Sequence, residues 1–377
     1  MSKRLYFVAG EASGDAHGAA LMSALRESDP ALEFLGRGGL RMRDIAGAAF
    51  TDWSESSSVL GLWEVLKHYR YFRGELRATI AHIKAQAPDA VILIDYPGFN
   101  LRLARALRAA LPRLKIIYYI SPQVWAWNRR RIPQMARYLD LMLCIFPFEA
   151  ELYNTSGLRT VFVGHPMLET LAQRRTTALP NPNLVGLFPG SRMREIAKIL
   201  PIMFSAAREL IARRPATRFE IAAATPALAE EIRRMLPSSE LRDDVVRVTT
   251  GDASATMQRA QAGIVASGTA TLEAAYFRLP FVLVYRVALP TYLAARLVVK
   301  VKHLGMPNVL AGREIVPEFI QHHADPQKIA DAVARLMNDA EVRNLMVAEF
   351  DIVVASLGEA GASQSAAAAV IEEIERN

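Results

Sequence analysis

The 377-residue chain has one cysteine, Cys144, which excludes an internal disulfide and, with it, the small cystine-stapled folds and paired-cysteine metal sites. Cys144 lies in the apolar run 141–146 and reads as a buried core thiol of a protein kept in a reducing compartment. Long hydrophobic runs are also scarce. Even 283–301 is broken by Arg286, Arg296 and Lys300, short of the ~18 uncharged apolar residues that a bilayer crossing needs. Three catalytic signatures are missing as well: the His-Glu-x-x-His helix, the Gly-x-x-x-x-Gly-Lys loop and the Gly-x-Ser-x-Gly elbow. A β-rich run starts at Leu5, leaving no room for a secretory leader, so a cytoplasmic location is expected.

What is present is a globular balance, 51% apolar and 22% charged residues, in a chain long enough for two domains. A net charge of +7 favours anionic partners: nucleotides, phospholipid surfaces or nucleic acid.

Short apolar runs alternate with helix-length segments at 5–9, 90–95, 115–120, 141–145 and 160–163, and again at 184–188, 219–223, 245–249, 263–266 and 281–284. Strands apolar throughout and separated by helices predict parallel sheets covered on both faces. The reading is α/β with two doubly wound domains: 1–165, a linker over 166–183, 184–324, and helices over 325–377 that pack across domains or subunits.

In such sheets ligands bind beyond the carboxyl ends of the strands. The first strand is followed by Gly10-Glu11-Ala12-Ser13-Gly14-Asp15 and a helix expected near His17; Glu11 and Ser13 are acceptor-side candidates, and the alternative is a tight turn capped by Asp15. The spacing is not the dinucleotide Gly-x-Gly-x-x-Gly. After 184–188 comes Pro189-Gly190-Ser191-Arg192, which reads as a diphosphate seat in which Gly190 removes bulk, Ser191 hydrogen-bonds and Arg192 adds a planar cation at a helix start, the alternative being a capped strand-to-helix turn with a solvated arginine. Arg192 there can stabilise a departing nucleoside diphosphate without a metal. Ser267-Gly268-Thr269 opens a later helix carrying Glu273, which either accepts the hydroxyls of a ribose or simply suits the helix dipole.

Asp95, before Tyr96-Pro97-Gly98, is the preferred general base toward an acceptor hydroxyl, with a turn-forming aspartate as the alternative. Trp125, Trp127 and Arg129 suit a phosphorylated glycan acceptor better than a nucleic acid, unless the tryptophans pack in the core. Val59, Leu60, Leu62, Trp63 and Leu66, running on into basic and aromatic residues to Arg73, form an apolar face suited to a membrane interface or to core packing. His17 and His165 are candidates only by lying next to turns. Three function classes fit: a transferase, a nucleotide-sugar epimerase and a non-catalytic nucleotide sensor.

Taken in order, Val8 to Asp15, Ser121-Pro122-Gln123-Val124-Trp125-Ala126-Trp127, Phe146-Pro147-Phe148-Glu149, Gly164-His165-Pro166, Pro189-Gly190-Ser191-Arg192, Ser267 to Glu273, Pro307-Asn308 and Val316 to Gln321 resemble the lipid-A-disaccharide synthase family. Departures are Leu60, where methionine is common, and Asn128, where arginine is often seen. The resemblance implies a GT-B fold of two facing Rossmann-like domains with C-terminal helices. It also implies inverting, metal-independent transfer from UDP-2,3-diacylglucosamine to 2,3-diacylglucosamine 1-phosphate, giving a β-1′,6-linked disaccharide and UDP in lipopolysaccharide biosynthesis. By the same resemblance Asp95 falls on the base, Arg192 and Asn308 on positions tied to donor handling or activity, and Glu273 on the ribose glutamate. It further implies no cofactor, peripheral attachment to phospholipid on the cytoplasmic face of the inner membrane, no nucleic acid partner, and room for a homodimer by C-terminal exchange.

Overall fold

Two all-parallel sheets organise the chain. The computed structural model describes residues 2–48, 50–53, 69–242, 244–299 and 301–376; the expected membrane residues Val59, Leu60, Leu62, Trp63 and Leu66 lie outside them.

The strands are β1 (Arg4–Ala9), β2 (Glu33–Gly38), β3 (Phe50–Asp52), β4 (Ala90–Ile94), β5 (Lys115–Tyr119), β6 (Leu141–Cys144), β7 (Thr160–Phe162), β8 (Asn181–Phe188), β9 (Arg218–Ala223), β10 (Val246–Thr250), β11 (Ala260–Ala266), β12 (Phe281–Tyr285) and β13 (Glu318–Ile320). The helices begin with α1 (Ala12–Ser28), α2 (Leu40–Ala46), α3 (Tyr69–Gln86), α4 (Pro97–Ala110), α5 (Val124–Trp127), α6 (Ile132–Met135), α7 (Pro147–Thr155) and α8 (Met167–Ala172). They continue with α9 (Met193–Arg213), α10 (Pro226–Met235), α11 (Ala253–Arg259), α12 (Ala270–Tyr276), α13 (Leu289–Val298), α14 (Met306–Ala311), α15 (Pro326–Asn338), α16 (Ala340–Ser356) and α17 (Ala362–Glu375).

The first sheet runs β3-β2-β1-β4-β5-β6-β7 and the second β10-β9-β8-β11-β12-β13. Each is doubly wound: the chain builds outward from a central strand, returns, and builds the other way. The switch points therefore fall between β1 and β4 and between β8 and β11, where open α/β sheets bind ligands. Burial explains the strands. All five residues of β4, Ala-Val-Ile-Leu-Ile, are buried, as expected where helices cover both faces. The helix α9 turns Ile196, Ile199, Leu200, Met203, Ala207 and Leu210 inward at helical spacing. Among the described residues no helix is long and apolar enough to cross a membrane.

The chain divides into one unit of residues 1–168 with 357–377 and a second of 169–356. Two expectations change, for the linker and for the strands. The stretch 166–183 is no plain linker, since it holds α8 and the start of β8, whose Asn181 pairs with Ala260. The helices of 325–377 are divided: α15 packs on α9 and β11 and α16 on α12, whereas α17 packs on α1 in the first unit. Strands β2, β3 and β13 add to those expected.

Candidate active site

The first cluster lies at the β1/β4 switch point. Gly10 follows β1 and Tyr96 follows β4; a Cβ on Gly10 would overlap the Tyr96 ring, so only glycine permits this approach. The helix α1 begins at Ala12, five residues before the expected start near His17, with Glu11 as its N-cap residue. Glu11 and Ser13 are exposed there. Asp15 does not cap α1. It is buried within it, and its carboxylate accepts from the backbone N–H of Gly39 (2.9 Å), Arg41 (3.1 Å) and Met42 (3.1 Å), capping α2.

Asp95 and Tyr96 both adopt left-handed backbone, with φ of 45° and 49°, a conformation that costs about 1–3 kcal/mol per non-glycine residue and gathers at functional sites. The surroundings hold it in place. Asp95 N–H donates to the Tyr119 carbonyl at 2.9 Å, and the Asp95 carbonyl accepts from Asn100 Nδ2 (2.8 Å) and the Tyr118 hydroxyl (2.6 Å). Burial raises the Asp95 carboxyl above the ordinary aspartate range, and the charge of Glu11 raises it further. Burial also pushes the Tyr96 hydroxyl up to about 12. Tyr96 stacks on Phe99 with centroids 6.0 Å apart, and Trp53 meets both rings edge-on. The result is a half-buried carboxylate next to an aromatic cluster, holding a proton more readily than an ordinary aspartate. Nearby, burial lowers His17, and burial together with His17 brings His165 down to about 4. His165 Nδ1 accepts from Met167 N–H at 3.2 Å.

Two expectations about 121–129 divide. Trp125 is 4% exposed. Its indole N–H donates to Glu149 Oε1 at 2.7 Å and its ring meets Phe148 edge-on, so it is a core residue and offers no face to an acceptor. Trp127 is 39% exposed, with the Arg131 guanidinium 4.9 Å over its ring. Arg129 is exposed and its Nε–H donates to the Trp125 carbonyl at 3.0 Å.

The second cluster lies at the β8/β11 switch point. Gly190 takes φ of +107°, a backbone angle that calls for glycine, and a Cβ there would sit 3.0 Å from Glu195 Oε2. Arg192 is the N-cap residue of α9 and its side chain is 80% exposed, 3.5 Å from Glu195. Ser191 is exposed beside it. Following β11, Ser267, Gly268 and Thr269 form the turn into α12. The Gly268 carbonyl accepts from both the N–H and the hydroxyl of Thr271, at 3.1 and 2.8 Å. Burial raises the Glu273 carboxyl while Arg174 pulls it back down. A cation at a helix start beside a glycine turn, and a carboxylate on the neighbouring strand's helix, suit a nucleoside diphosphate.

Asn308 is placed differently from its expected role. It is fully buried; its Nδ2 donates to the Val316 carbonyl (2.8 Å) and Glu318 Oε1 (2.9 Å), and its Oδ1 accepts from Ile315 and Val316 N–H (2.8 and 2.9 Å). Both side-chain polar atoms are used within the protein, where they hold the turn before β13. Glu318, which the sequence reading did not single out, also accepts from Leu304 and Gly305 N–H at the start of α14. Among the described residues no group of three or more His, Cys, Asp or Glu side chains is gathered as a metal site.

A family profile described as lipid-A-disaccharide synthetase matches residues 5–371. The chain belongs to the lipid-A-disaccharide synthase family. Lipid-A-disaccharide synthases from Trichlorobacter lovleyi and Pseudomonas paraeruginosa are each 38% identical to it, the first over 100% of this chain and 98% of its own length, the second over 99% and 98%. Solved structures give the fold independently. The calicheamicin glycosyltransferase CalG4 superposes with a TM-score of 0.60 at 16% identity over 100% and 99% of the two chains. A UDP-GlcNAc 2-epimerase from Neisseria meningitidis, bound to UDP-GlcNAc, superposes at 0.59 with 12% identity over 100% of both. Membership in the lipid-A-disaccharide synthase family makes the chain a glycosyltransferase with the GT-B fold.

Proposed function

We propose that the enzyme transfers 2,3-diacylglucosamine from its UDP conjugate to 2,3-diacylglucosamine 1-phosphate, with inversion and without a metal, at the cytoplasmic face of a membrane. Asp95 takes the proton of the attacking acceptor hydroxyl. Gly190, Ser191 and Arg192 hold the donor diphosphate, Ser267, Gly268 and Thr269 line the second turn of that seat, and Glu273 receives the ribose. As UDP leaves, charge develops on its β-phosphate, where Arg192 and the N–H groups opening α9 are most useful. Direct displacement by a base-activated hydroxyl inverts the anomeric carbon in one step. Trp127 and Arg129, with Glu11 and Ser13, are the acceptor-side groups.

The observation that carries this reading is Asp95: a carboxylate at the switch point, held in strained backbone and raised above the ordinary aspartate range by burial and Glu11. The test supplies both acylated glucosamine substrates and follows UDP release with and without chelator. Release that needs both substrates and ignores chelator is expected. No release sinks the transfer, and chelator sensitivity sinks the metal-free step. The epimerase alternative draws on the Neisseria likeness; turnover of UDP-N-acetylglucosamine with no acceptor present decides in its favour.

A further inference from the structure

The segment that follows β5 has little of its own to hold it. Ile120 enters it on left-handed backbone, with φ of 64°, a strained conformation for a β-branched residue. Residues 121–123 have no regular structure and α5 is a single turn of 4 residues, far below the length at which a helix sustains itself. Yet this segment presents Trp127 and Arg129, the exposed aromatic and cation placed on the acceptor side above. Its shape has to be imposed from outside.

The start of α7 imposes it. Glu149 Oε1 accepts from the Trp125 indole N–H at 2.7 Å, and Glu149 Oε2 accepts from Phe146 N–H at 3.3 Å. One turn further along α7, the Tyr153 hydroxyl donates to the Pro122 carbonyl at 2.7 Å. The Phe148 ring meets Trp125 edge-on with centroids 4.9 Å apart. From Trp125 the hold passes along the segment. The Trp125 carbonyl accepts from Arg129 Nε–H at 3.0 Å, and the Val124 carbonyl accepts from Asn128 N–H at 2.7 Å. Trp127 sits between these anchors, with the Arg131 guanidinium over its ring.

A carboxyl is a costly side chain to bury for packing alone. Glu149 is fully buried, and among the described residues no ion pair joins it to a cation. The titratable groups that face it, Cys144 of β6 and Tyr153 of α7, are kept uncharged by burial. An apolar side chain would fill the same volume at less cost, but it could not receive the indole N–H.

We infer that Glu149 is a positioning residue of the transfer: by fixing Trp125 it sets Trp127 and Arg129 against the acceptor. This rests on the acceptor-side reading above for naming the substrate that suffers when the hold is lost.

The test measures kcat and both KM values in the full chain, together with amide exchange over 124–129. Glu149→Leu strands the indole N–H and should raise the acceptor KM roughly tenfold or more, with donor KM and UDP affinity near wild type. KM does not depend on how much of a sample is folded, so partial unfolding lowers kcat without imitating this result. Glu149→Gln restores an acceptor for the indole and should recover most of the acceptor KM. Trp125→Phe removes the donor from the other side and keeps a ring against Phe148. Combined with Glu149→Leu it should cost no more than the dearer single change. Amides of 124–129 should exchange faster in Glu149→Leu while those of α9 keep their protection. An unchanged acceptor KM, an equal rise in donor KM, additive losses in the double variant, or unchanged exchange over 124–129 would each overturn the inference. If wild type transfers nothing, the acceptor-side reading fails by itself, and the exchange result still decides whether Glu149 holds the segment.

Discussion

Asp95 carries its carboxylate on backbone gripped from three sides, by the Tyr119 carbonyl, the Asn100 amide and the Tyr118 hydroxyl. Replacing it with Asn keeps the shape and removes the base. Turnover should fall about 10²–10⁴-fold while UDP binding, measured by calorimetry, stays near wild type; an unchanged rate places the base elsewhere. Because burial and Glu11 both raise this carboxyl, the acid limb of kcat/KM should lie above the ordinary aspartate range. Activity is then lost as pH falls through that raised value. Glu11→Gln removes one of the two causes and should move the limb to lower pH, whereas an unmoved limb means that Glu11 does not set it. Asp95 was legible from the sequence because a carboxylate at the end of an apolar strand is rare. The strain around it was not, because it depends on Asn100, Tyr118 and Tyr119 arriving from elsewhere.

At the scale of elements, the apolar strands were plain to read and the mixed ones were not. In β2, Glu33-Phe34-Leu35-Gly36-Arg37-Gly38, two glycines and two charges mask a strand whose Gly36 is pressed against the Phe7 backbone. With only three residues each, β3 and β13 are too short to show a pattern. Tertiary partners also decided which polar residues serve function and which serve structure. Asp15 caps α2 across 24 residues, and Asn308 pins the approach to β13, so neither role is visible locally. Asn308→Ala should cost roughly 2–4 kcal/mol, since it strands several buried groups. Thermal unfolding should register the loss with the affinity of the folded fraction for UDP unchanged; a selective loss of UDP affinity would return Asn308 to the donor site. Glu149 joins α7 to Trp125 of α5, and burial raises it to about 7 against an ordinary 4.5. The folded form therefore holds a proton that the unfolded form releases. Stability from this group is fully present below about pH 4.5 and is lost as pH rises through about 7. Chemical denaturation between those values should show the decline, and Glu149→Gln should flatten it.

At the scale of the molecule, the first unit is completed by the last residues of the chain. Helix α17 places Ala366, Ala367 and Val370 in the same core cluster as Leu21, Met22 and Leu25 of α1. Arg159 pairs with Glu372 and Glu373, at 2.6 and 2.7 Å, and Lys115 with Glu373 at 3.2 Å. Glu373 is nearly buried, so both cations offset its desolvation, and removing them would leave a costly charge. The composition of this helix, rich in Ala with Glu at its end, marked it as helical but said nothing of which sheet it would cover. Earlier in the same stretch, α15 packs on β11 and β12 of the second sheet and α16 on α12, α14 and α15. Ending the chain at Ser356 should therefore act on one unit alone. Hydrogen exchange should show α1 amides losing protection, as the apolar surface beneath α17 meets water, while α9 amides keep theirs. Equal loss in both helices would mean that the units unfold together, and unchanged protection of α1 would mean that α17 adds nothing to the first core. If a second copy supplies its own α17 by exchange, adding full-length chain to the truncated one should restore α1 protection in proportion to the concentration added.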